Sequence, residues 1–215
     1  MSVHRALIFA NGPFKEVKLA VSFFRQGDLI IAADGGARHA LTAGLTPALV
    51  VGDMDSIDTT TRQRVESSGA QLMIYPQRKD ATDLELALGE ARQGGAAELF
   101  IFGAMGGRPD HSLANLQLAA SPAWRHQSVR VFGDGAEIRV LHGGETLDIE
   151  GPSGMTVGLI PARKAAEGVV TEGLEYPLSG ETLEATRSRG VSNHLLEKRA
   201  RVKLTSGTLW VVLIR

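Results

Sequence analysis

The chain has no cysteine. Disulfides and thiolate metal sites are therefore excluded, and a zinc site would need His and carboxylates alone. The six histidines are scattered, with no HExxH pair among them. Charge of one sign is not in excess. There are 23 basic and 24 acidic residues, a formal net charge of -1, so the basic footprint of a nucleic-acid binder is missing. No apolar run approaches membrane-spanning length. The apolar stretch in the opening "MSVHRALIFANG" is too short for a signal peptide. The familiar nucleotide motifs are absent too: no GxxxxGK[ST] and no Gly-Lys pair, no GxGxxG after a strand, and no HRD or DFG set. These gaps disfavour a P-loop enzyme, a classical dehydrogenase and a protein kinase. They leave the expectation of a soluble cytoplasmic protein with neither nucleic acid nor membrane as partner.

What is present is ordinary in bulk. The 215 residues suffice for one large domain or two small ones. Hydrophobic residues at 43% and charged residues at 22% suit a globular core.

The chain reads in two rhythms. The first alternates short apolar runs with helical spacing. The runs are "ALIFA" (6–10), "DLIIAAD" (28–34), "ALVVGD" (48–53), "QLMIYP" (71–76) and "ELFIFGAM" (98–105). Leu84, Ala87, Leu88 and Ala91 recur at i, i+3, i+4 and i+7, one face of a helix. Leu113, Leu116 and Ala120 repeat the pattern in the next helix. Apolar strands separated by helices predict an α/β domain with a mostly parallel, Rossmann-like sheet and flanking helices. After about Val129 helical spacing gives way to short alternating runs broken by "HGGE", "GPSG", "EGLEYPLSG" and "SRG". That pattern predicts a smaller all-β sandwich. In "EKRARVKL", Ala200, Val202 and Leu204 alternate with Arg199, Arg201 and Lys203, which predicts a half-buried strand rather than a basic patch. The boundary falls in "GDGAEIR" (133–139), giving domains 1–135 and 136–215.

In an open parallel sheet, ligands bind beyond the carboxyl ends of the strands. Those ends carry the chemistry here. The first run is followed by Asn11-Gly12, the second by Asp34-Gly35-Gly36, and the third by Asp53 and Asp55. The fourth leads into Gln77, Lys79, Asp80 and Asp83, and the fifth into Gly106, Gly107, Arg108, Asp110 and His111. Each group has a local structural explanation. Thr82-x-x-Glu85 is a capping box with Asp83 in the first turn. Asp110 fits a cap, Asp34-Gly35-Gly36 fits a tight turn, and Asp53-x-Asp55-Ser56 fits a turn plus a cap. Capping does not explain two aspartates one residue apart, nor Arg108 and Lys79 on the same rim. A magnesium-bound polyphosphate would: carboxylates hold the cation, glycine loops bring backbone N–H groups to phosphate, and basic side chains neutralise the remaining oxygens.

At these residues the sequence resembles the thiamine pyrophosphokinase (thiamine diphosphokinase) family. "ADGGA", "GDMDSI", "KDATDLELAL" and "GGRPDH" occur in that order at the strand ends, and "GLEYPL" and "GVSN" follow in the second half. Six motifs in order over nearly the whole chain make the resemblance specific. It implies transfer of pyrophosphate from ATP to thiamine, giving thiamine diphosphate and AMP, by an ATP-binding catalytic domain (1–135) and a thiamine-binding domain (136–215). It further implies that Asp53, Asp55 and Asp83 hold Mg2+ and serve catalysis. Asp34, Gly35, Gly36, Arg108, Asp110 and His111 would shape the ATP site, with Gln77 and Lys79 near the phosphates. Tyr176, Ser192 and Asn193 would meet thiamine, Tyr176 standing where animal members often carry tryptophan. Read alone, Tyr176-Pro177 is a turn aromatic and Ser192-Asn193 a hairpin turn. Two other readings stay open on the residues: a pyrophosphokinase for another heterocyclic alcohol, such as a pterin, and a module that binds Mg·ATP without turnover. The last strand, "TLWVVLI" (208–214), shows no alternation. A continuous apolar run predicts cover on both faces. That expectation, with the resemblance to a dimeric family, predicts a homodimer through the β domain.

Overall fold

The computed structural model describes residues 4–214. The apolar runs of the first half form strands β1 (Arg5–Phe9), β2 (Leu29–Ala33), β3 (Leu49–Gly52), β4 (Gln71–Ile74) and β5 (Glu98–Phe102). Helices α1 (Val17–Phe23), α2 (Gly36–Thr42), α3 (Thr59–Ser67), α4 (Asp83–Gln93) and α5 (Pro109–Ala119) separate or follow them. A further strand, β6 (Ser128–Gly133), pairs in parallel with β5. The sequence reading took this stretch only as the start of a new rhythm. Its alternating Val129 and Val131 are both buried, as a strand within the parallel sheet requires.

The parallel strands run in the order β6-β5-β1-β2-β3-β4. From β1 the chain adds strands in one direction through β4, then returns to place β5 on the other side. The strand order therefore reverses between β1 and β5, and a crevice opens at such a switch point. Beneath it, Phe9, Phe100, Phe102 and Phe132 are essentially fully buried and belong to one aromatic-rich cluster.

Helix α4 buries Leu84, Ala87, Leu88 and Ala91, the face its spacing predicts. Helix α5 departs from its prediction: Leu113 is 64% exposed. Its inward stripe is polar instead. Asn115 Nδ2 donates to the Ala104 carbonyl at 2.9 Å, and Ser112 Oγ donates to the Gly106 carbonyl at 3.3 Å. Residues at i and i+3 that satisfy loop carbonyls turn the intervening leucine outward.

Contacts within the chain define two units. The first runs to Leu118 and includes His126–Asp134; the second comprises Ala119–Arg125 and the chain from Gly135 onward. In the second unit lie β7 (Ala136–His142), β8 (Thr146–Glu150), β9 (Thr156–Pro161), β10 (Ala166–Glu172), β11 (Ser179–Leu183), β12 (Asn193–His194), β13 (Arg199–Lys203) and β14 (Thr208–Ile214). They form two antiparallel arrays, β12-β9-β14-β7 and β11-β10-β13-β8. One core containing Ile149, Leu159, Val169, Leu183, Val202 and Val211 joins the two arrays as a sandwich. Strand β13 alternates as predicted, with Ala200 and Val202 buried and its basic residues exposed.

The burial of strand β14 alternates even though its composition does not. Leu209, Val211 and Leu213 are buried, Trp210 and Val212 are half-buried, and Ile214 is 49% exposed. Within one chain only one face is fully covered. The other shares its side of the sheet with the partly exposed Val140 and Ile160, both in register with Trp210. Among the described residues no helix is long and apolar enough to cross a membrane.

Candidate active site

Turns of unusual backbone geometry place the acidic side chains. At the end of β2, Asp34 takes φ +46, and its carbonyl then accepts from the Ala37 N–H as α2 begins. Gly35 and Gly36 are required there. A Cβ at Gly36 would lie 1.9 Å from the Phe9 carbonyl oxygen, and one at Gly35 would lie 2.2 Å from Asn11 Oδ1. At the end of β3, Met54 takes φ +63 while its side chain is buried in a cluster with Ala32, Val50 and Val65. This left-handed, anchored residue separates the two neighbouring aspartates. Asp53 turns inward and is half-buried, and Asp55 is exposed. Asp83 opens α4, where Thr82 Oγ1 accepts from the Glu85 N–H at 3.2 Å, one half of the predicted capping box.

The outcome is a trio. Asp34, Asp53 and Asp83 each offer a carboxylate oxygen, and these oxygens lie within 4.8 Å of one another. Lys79 Nζ sits 2.9 Å from Asp83 Oδ1. The bond to Asp83 raises the Lys79 pKa above its ordinary range, and Asp53 and Asp34 add to the pull. Burial pushes the Asp34 carboxyl upward. Hydrogen bonds from Ser56 and the Gly35 N–H oppose that push, and Asp83 and Asp55 reinforce it. Asp34 Oδ1 is buried without a hydrogen-bond partner. Gly52 leaves the space that the trio encloses: a Cβ there would lie 2.9 Å from Asp34 Cβ and 3.1 Å from Asp83 Cγ. Three oxygen donors, one of them orphaned, around a gap kept open by glycine fit a hard divalent cation such as magnesium.

Asp55 has other partners. It accepts from Ser56 Oγ at 3.0 Å and from Gln77 Nε2 at 3.1 Å, and its own N–H reaches Asp53 Oδ1 at 3.3 Å. Of the residues singled out from sequence, Asp34, Asp53, Asp55, Gln77, Lys79, Asp83, Arg108 and His111 all line one cavity of about 640 Å³. Its volume lies within the range of small-molecule sites. Gly35 and Gly36 are buried at the start of α2 and do not line it. Asp110 is exposed and pairs with Arg108 at 2.6 and 3.2 Å, a contact that aims the guanidinium.

Sequence reasoning put Asn11 and Gly12 on the rim without a stated role, gave Ser56 only a place in a turn and cap, and gave Asn115 none; all four also line the cavity. The signal for the first pair was present, since Asn11-Gly12 ends β1 at the switch point. There the Gly12 N–H donates to the Gly103 carbonyl at 2.8 Å, and a Cβ on Gly12 would lie 2.4 Å from that oxygen. Ser56 was readable only as part of the turn and cap in "GDMDSI", and Asn115 had no signal, because a lone mid-helix Asn is read as polar surface.

In the second unit, the "GLEYPL" and "GVSN" segments lie side by side. Leu174 bridges Leu195, and the Glu175 N–H donates to the His194 carbonyl at 3.0 Å. Tyr176 is 60% exposed, Ser192 is exposed with φ +56, and Asn193 is only 3% exposed.

Comparison with known proteins bears on both units. Residues 21–133 match the family described as "Thiamin pyrophosphokinase, catalytic domain", and residues 145–209 match "Thiamin pyrophosphokinase, vitamin B1 binding domain". The chain is 30% identical over 206 residues to thiamine pyrophosphokinase of Bacillus subtilis (strain 168), covering 95% of this chain and 96% of the relative. The crystal structure of thiamine pyrophosphokinase from Bacillus subtilis superposes with a TM-score of 0.86 at 28% identity, covering 98% of each chain. A thiamin pyrophosphokinase family protein from Enterococcus faecalis gives a TM-score of 0.79 at 27% identity, covering 99% of each chain.

Proposed function

The chain belongs to the thiamin pyrophosphokinase family, and on that premise we propose that its strand-end cavity carries out the family reaction with Mg2+ held by the aspartate trio. The reaction transfers a pyrophosphoryl group from ATP to thiamine. The hydroxyethyl oxygen of thiamine bonds to the β-phosphorus of ATP. The bond from that phosphorus to the α,β-bridging oxygen breaks, AMP leaves with the bridging electron pair, and the hydroxyl proton is lost. The observation that carries the assignment is the trio of Asp34, Asp53 and Asp83 with Lys79 on the wall of one cavity at the switch point.

In this reading Asp53 and Asp83 hold the metal, and Asp34 completes the oxygen set. Asp55 stands at the rim with Gln77, where the transferring phosphates would lie. Magnesium, when bound, supplies divalent charge to the phosphate oxygens. The chain's own residues do the positioning. Lys79 and Arg108 bring positive charge to the polyphosphate. Asp110 holds Arg108 in place. Asp34, Gly35 and Gly36 set the turn at which β2 meets α2, and His111 stands on the wall for the nucleotide. Phosphoryl-type transfer depends mostly on such positioning and charge stabilisation. Tyr176, Ser192 and Asn193 serve thiamine from the second unit. The ring of Tyr176 offers an apolar, electron-rich face to a cationic thiazolium and a flat pyrimidine.

We also propose that two copies of the chain pair through the second unit. Support comes from the half-covered outer face of β14, where Trp210, Val212 and Ile214 continue beside Val140 and Ile160. Val212→Glu would place a charge on that face and is expected to give monomers by light scattering. A wild-type protein that runs as a 22.9 kDa monomer at micromolar concentration would remove the pairing.

One incubation tests the activity. ATP, magnesium and thiamine should yield AMP and thiamine diphosphate in equal amounts. Turnover only with a pterin alcohol would reassign the acceptor. Nucleotide binding without turnover would make the chain a sensor.

A further inference from the structure

Asn193 was expected to touch thiamine, yet both its Oδ1 and its Nδ2 are engaged within the chain. The Tyr176 N–H donates to Asn193 Oδ1 at 3.0 Å, and the His194 N–H donates to the same oxygen at 2.9 Å. Asn193 Nδ2 donates to the Tyr176 carbonyl at 2.8 Å. Two donors face one atom and an acceptor faces the other, so the partners fix the orientation of the amide. At 3% exposed, it is also shielded from any ligand in solution.

The backbone explains why a side chain does this work. Residues 173–175 run antiparallel to 194–196. The Leu196 N–H donates to the Gly173 carbonyl at 3.0 Å, Leu174 bridges Leu195, and the Glu175 N–H donates to the His194 carbonyl at 3.0 Å. At the next position the backbone of Asn193 is already committed to β9, opposite Val157. The Asn193 carboxamide takes over and offers Tyr176 the donor and acceptor that a neighbouring strand would have supplied. On the other side Pro177 restricts Tyr176 to extended conformations. The backbone of Tyr176 is thus held by a buried bidentate clamp and by the following proline, while its ring stands 60% exposed. A fixed backbone beneath an exposed aromatic ring lowers the ordering cost of stacking on it.

We propose that Asn193 is a positioning residue that serves thiamine binding through Tyr176, without touching thiamine itself. The proposal rests on the reading above in which the Tyr176 ring meets thiamine. A role through Tyr176 has a signature that simple contact lacks, because the two effects cannot add. Asn193→Ala removes the clamp. Asn193→Asp keeps the size and both acceptor bonds but sets a carboxylate oxygen against the Tyr176 carbonyl. It serves as the second variant should the alanine protein fail to fold.

The test is steady-state kinetics of full-length Tyr176→Ala, each Asn193 variant and the double variant, with thiamine and ATP varied separately. Tyr176→Ala should raise the KM for thiamine roughly 2- to 30-fold, the span of a stacked cation. Each Asn193 variant should raise the same constant and leave the KM for ATP within about twofold. The double variant should be no worse than Tyr176→Ala alone. An Asn193 variant with a normal KM for thiamine would overturn the proposal, and so would effects that multiply in the double variant, since Asn193 would then act independently. If Tyr176→Ala leaves the KM for thiamine unchanged, the stacking reading falls and takes the proposal with it. That outcome is recognisable from the single Tyr176 variant.

Discussion

Lys79 Nζ lies 2.9 Å from Asp83 Oδ1, one of three carboxylates whose oxygens come within 4.8 Å of one another. Like charges at that separation repel unless positive charge offsets them. Here the chain supplies one such charge beside the trio. Lys79 is largely buried, its side chain 15% exposed, so solvent screens the contact only in part.

Lys79→Met should therefore unsettle the protein most when no metal is present. In EDTA the thermal midpoint is expected to fall by about 2–4 °C, the equivalent of roughly 1 kcal/mol at this chain length. Millimolar magnesium should close much of that gap by replacing the missing charge. Scanning calorimetry with and without magnesium checks this. An equal deficit in both conditions would mean that Lys79 is a packing residue and not a counter-charge.

The two neighbouring aspartates should separate on substitution. Asp53→Asn and Asp83→Asn are each expected to lower turnover at least about a hundredfold and to weaken binding of Mn2+ to the nucleotide-free protein. Asp55 is bonded to Ser56 and Gln77 and lies outside the trio. Asp55→Asn should keep Mn2+ affinity within about twofold, whatever it does to turnover with ATP. Electron paramagnetic resonance of Mn2+ titrations reads the difference directly. Equal losses of affinity for Asp53→Asn and Asp55→Asn would undo the distinction.

How much of this was legible in the sequence depends on the length scale of each signal. Strands β1, β2, β3 and β5 were readable because each is a run of apolar residues buried along most of its length, and β4, exposed at both ends, was readable from its apolar run alone. The face of α4 was readable because Leu84, Ala87, Leu88 and Ala91, spaced on one side, are all buried. Leu113 misled because periodicity counts apolar residues only, whereas Ser112 and Asn115 take the inward side of α5 by bonding loop carbonyls. The rim of carboxylates was readable from strand ends. The grouping within it was not, because the positive φ of Met54, which divides Asp53 from Asp55, has no signature in a methionine. The bonds of Asn193 to Tyr176 were not readable either, because they join positions 17 apart in the chain.

Two histidines, His142 buried and His39 half-buried, contribute to the acid side of the stability profile. Burial lowers the pKa of His142 and of His39 below the ordinary 6.5. In the unfolded chain each binds a proton near pH 6.5, and in the folded chain only at lower pH. The unfolded state thus holds more protons in this window, and stability falls as pH drops below 6.5. His142→Phe removes one such group whose Nε2 has no hydrogen-bond partner. The loss of urea stability between pH 7.5 and pH 5.5 should be smaller in this variant than in wild type. An unchanged slope would show that His142 does not titrate with folding.

Gly52 is the most exacting test of the trio, because it contributes no ligand and acts only by being small. Its φ of +151 already disfavours a side chain. A Cβ would meet Asp34 Cβ at 2.9 Å and Asp83 Oδ1 at 3.2 Å, wedging two of the three carboxylates apart. Gly52→Ala should cost about 1–3 kcal/mol of stability through strain and overpacking, and weaken Mn2+ binding roughly tenfold or more. Strain and lost ligation can be separated in one further variant. Asp34→Gly removes the side chain that the new methyl meets most closely, and glycine suits the φ of +46 at that position. The double variant Gly52→Ala/Asp34→Gly should recover stability in urea and still bind Mn2+ poorly, because space has returned but an oxygen donor has not. Recovery of both would mean that the gap, rather than the third carboxylate, is what the cation needs. Recovery of neither would place the damage of Gly52→Ala in the backbone of β3 and not in the trio.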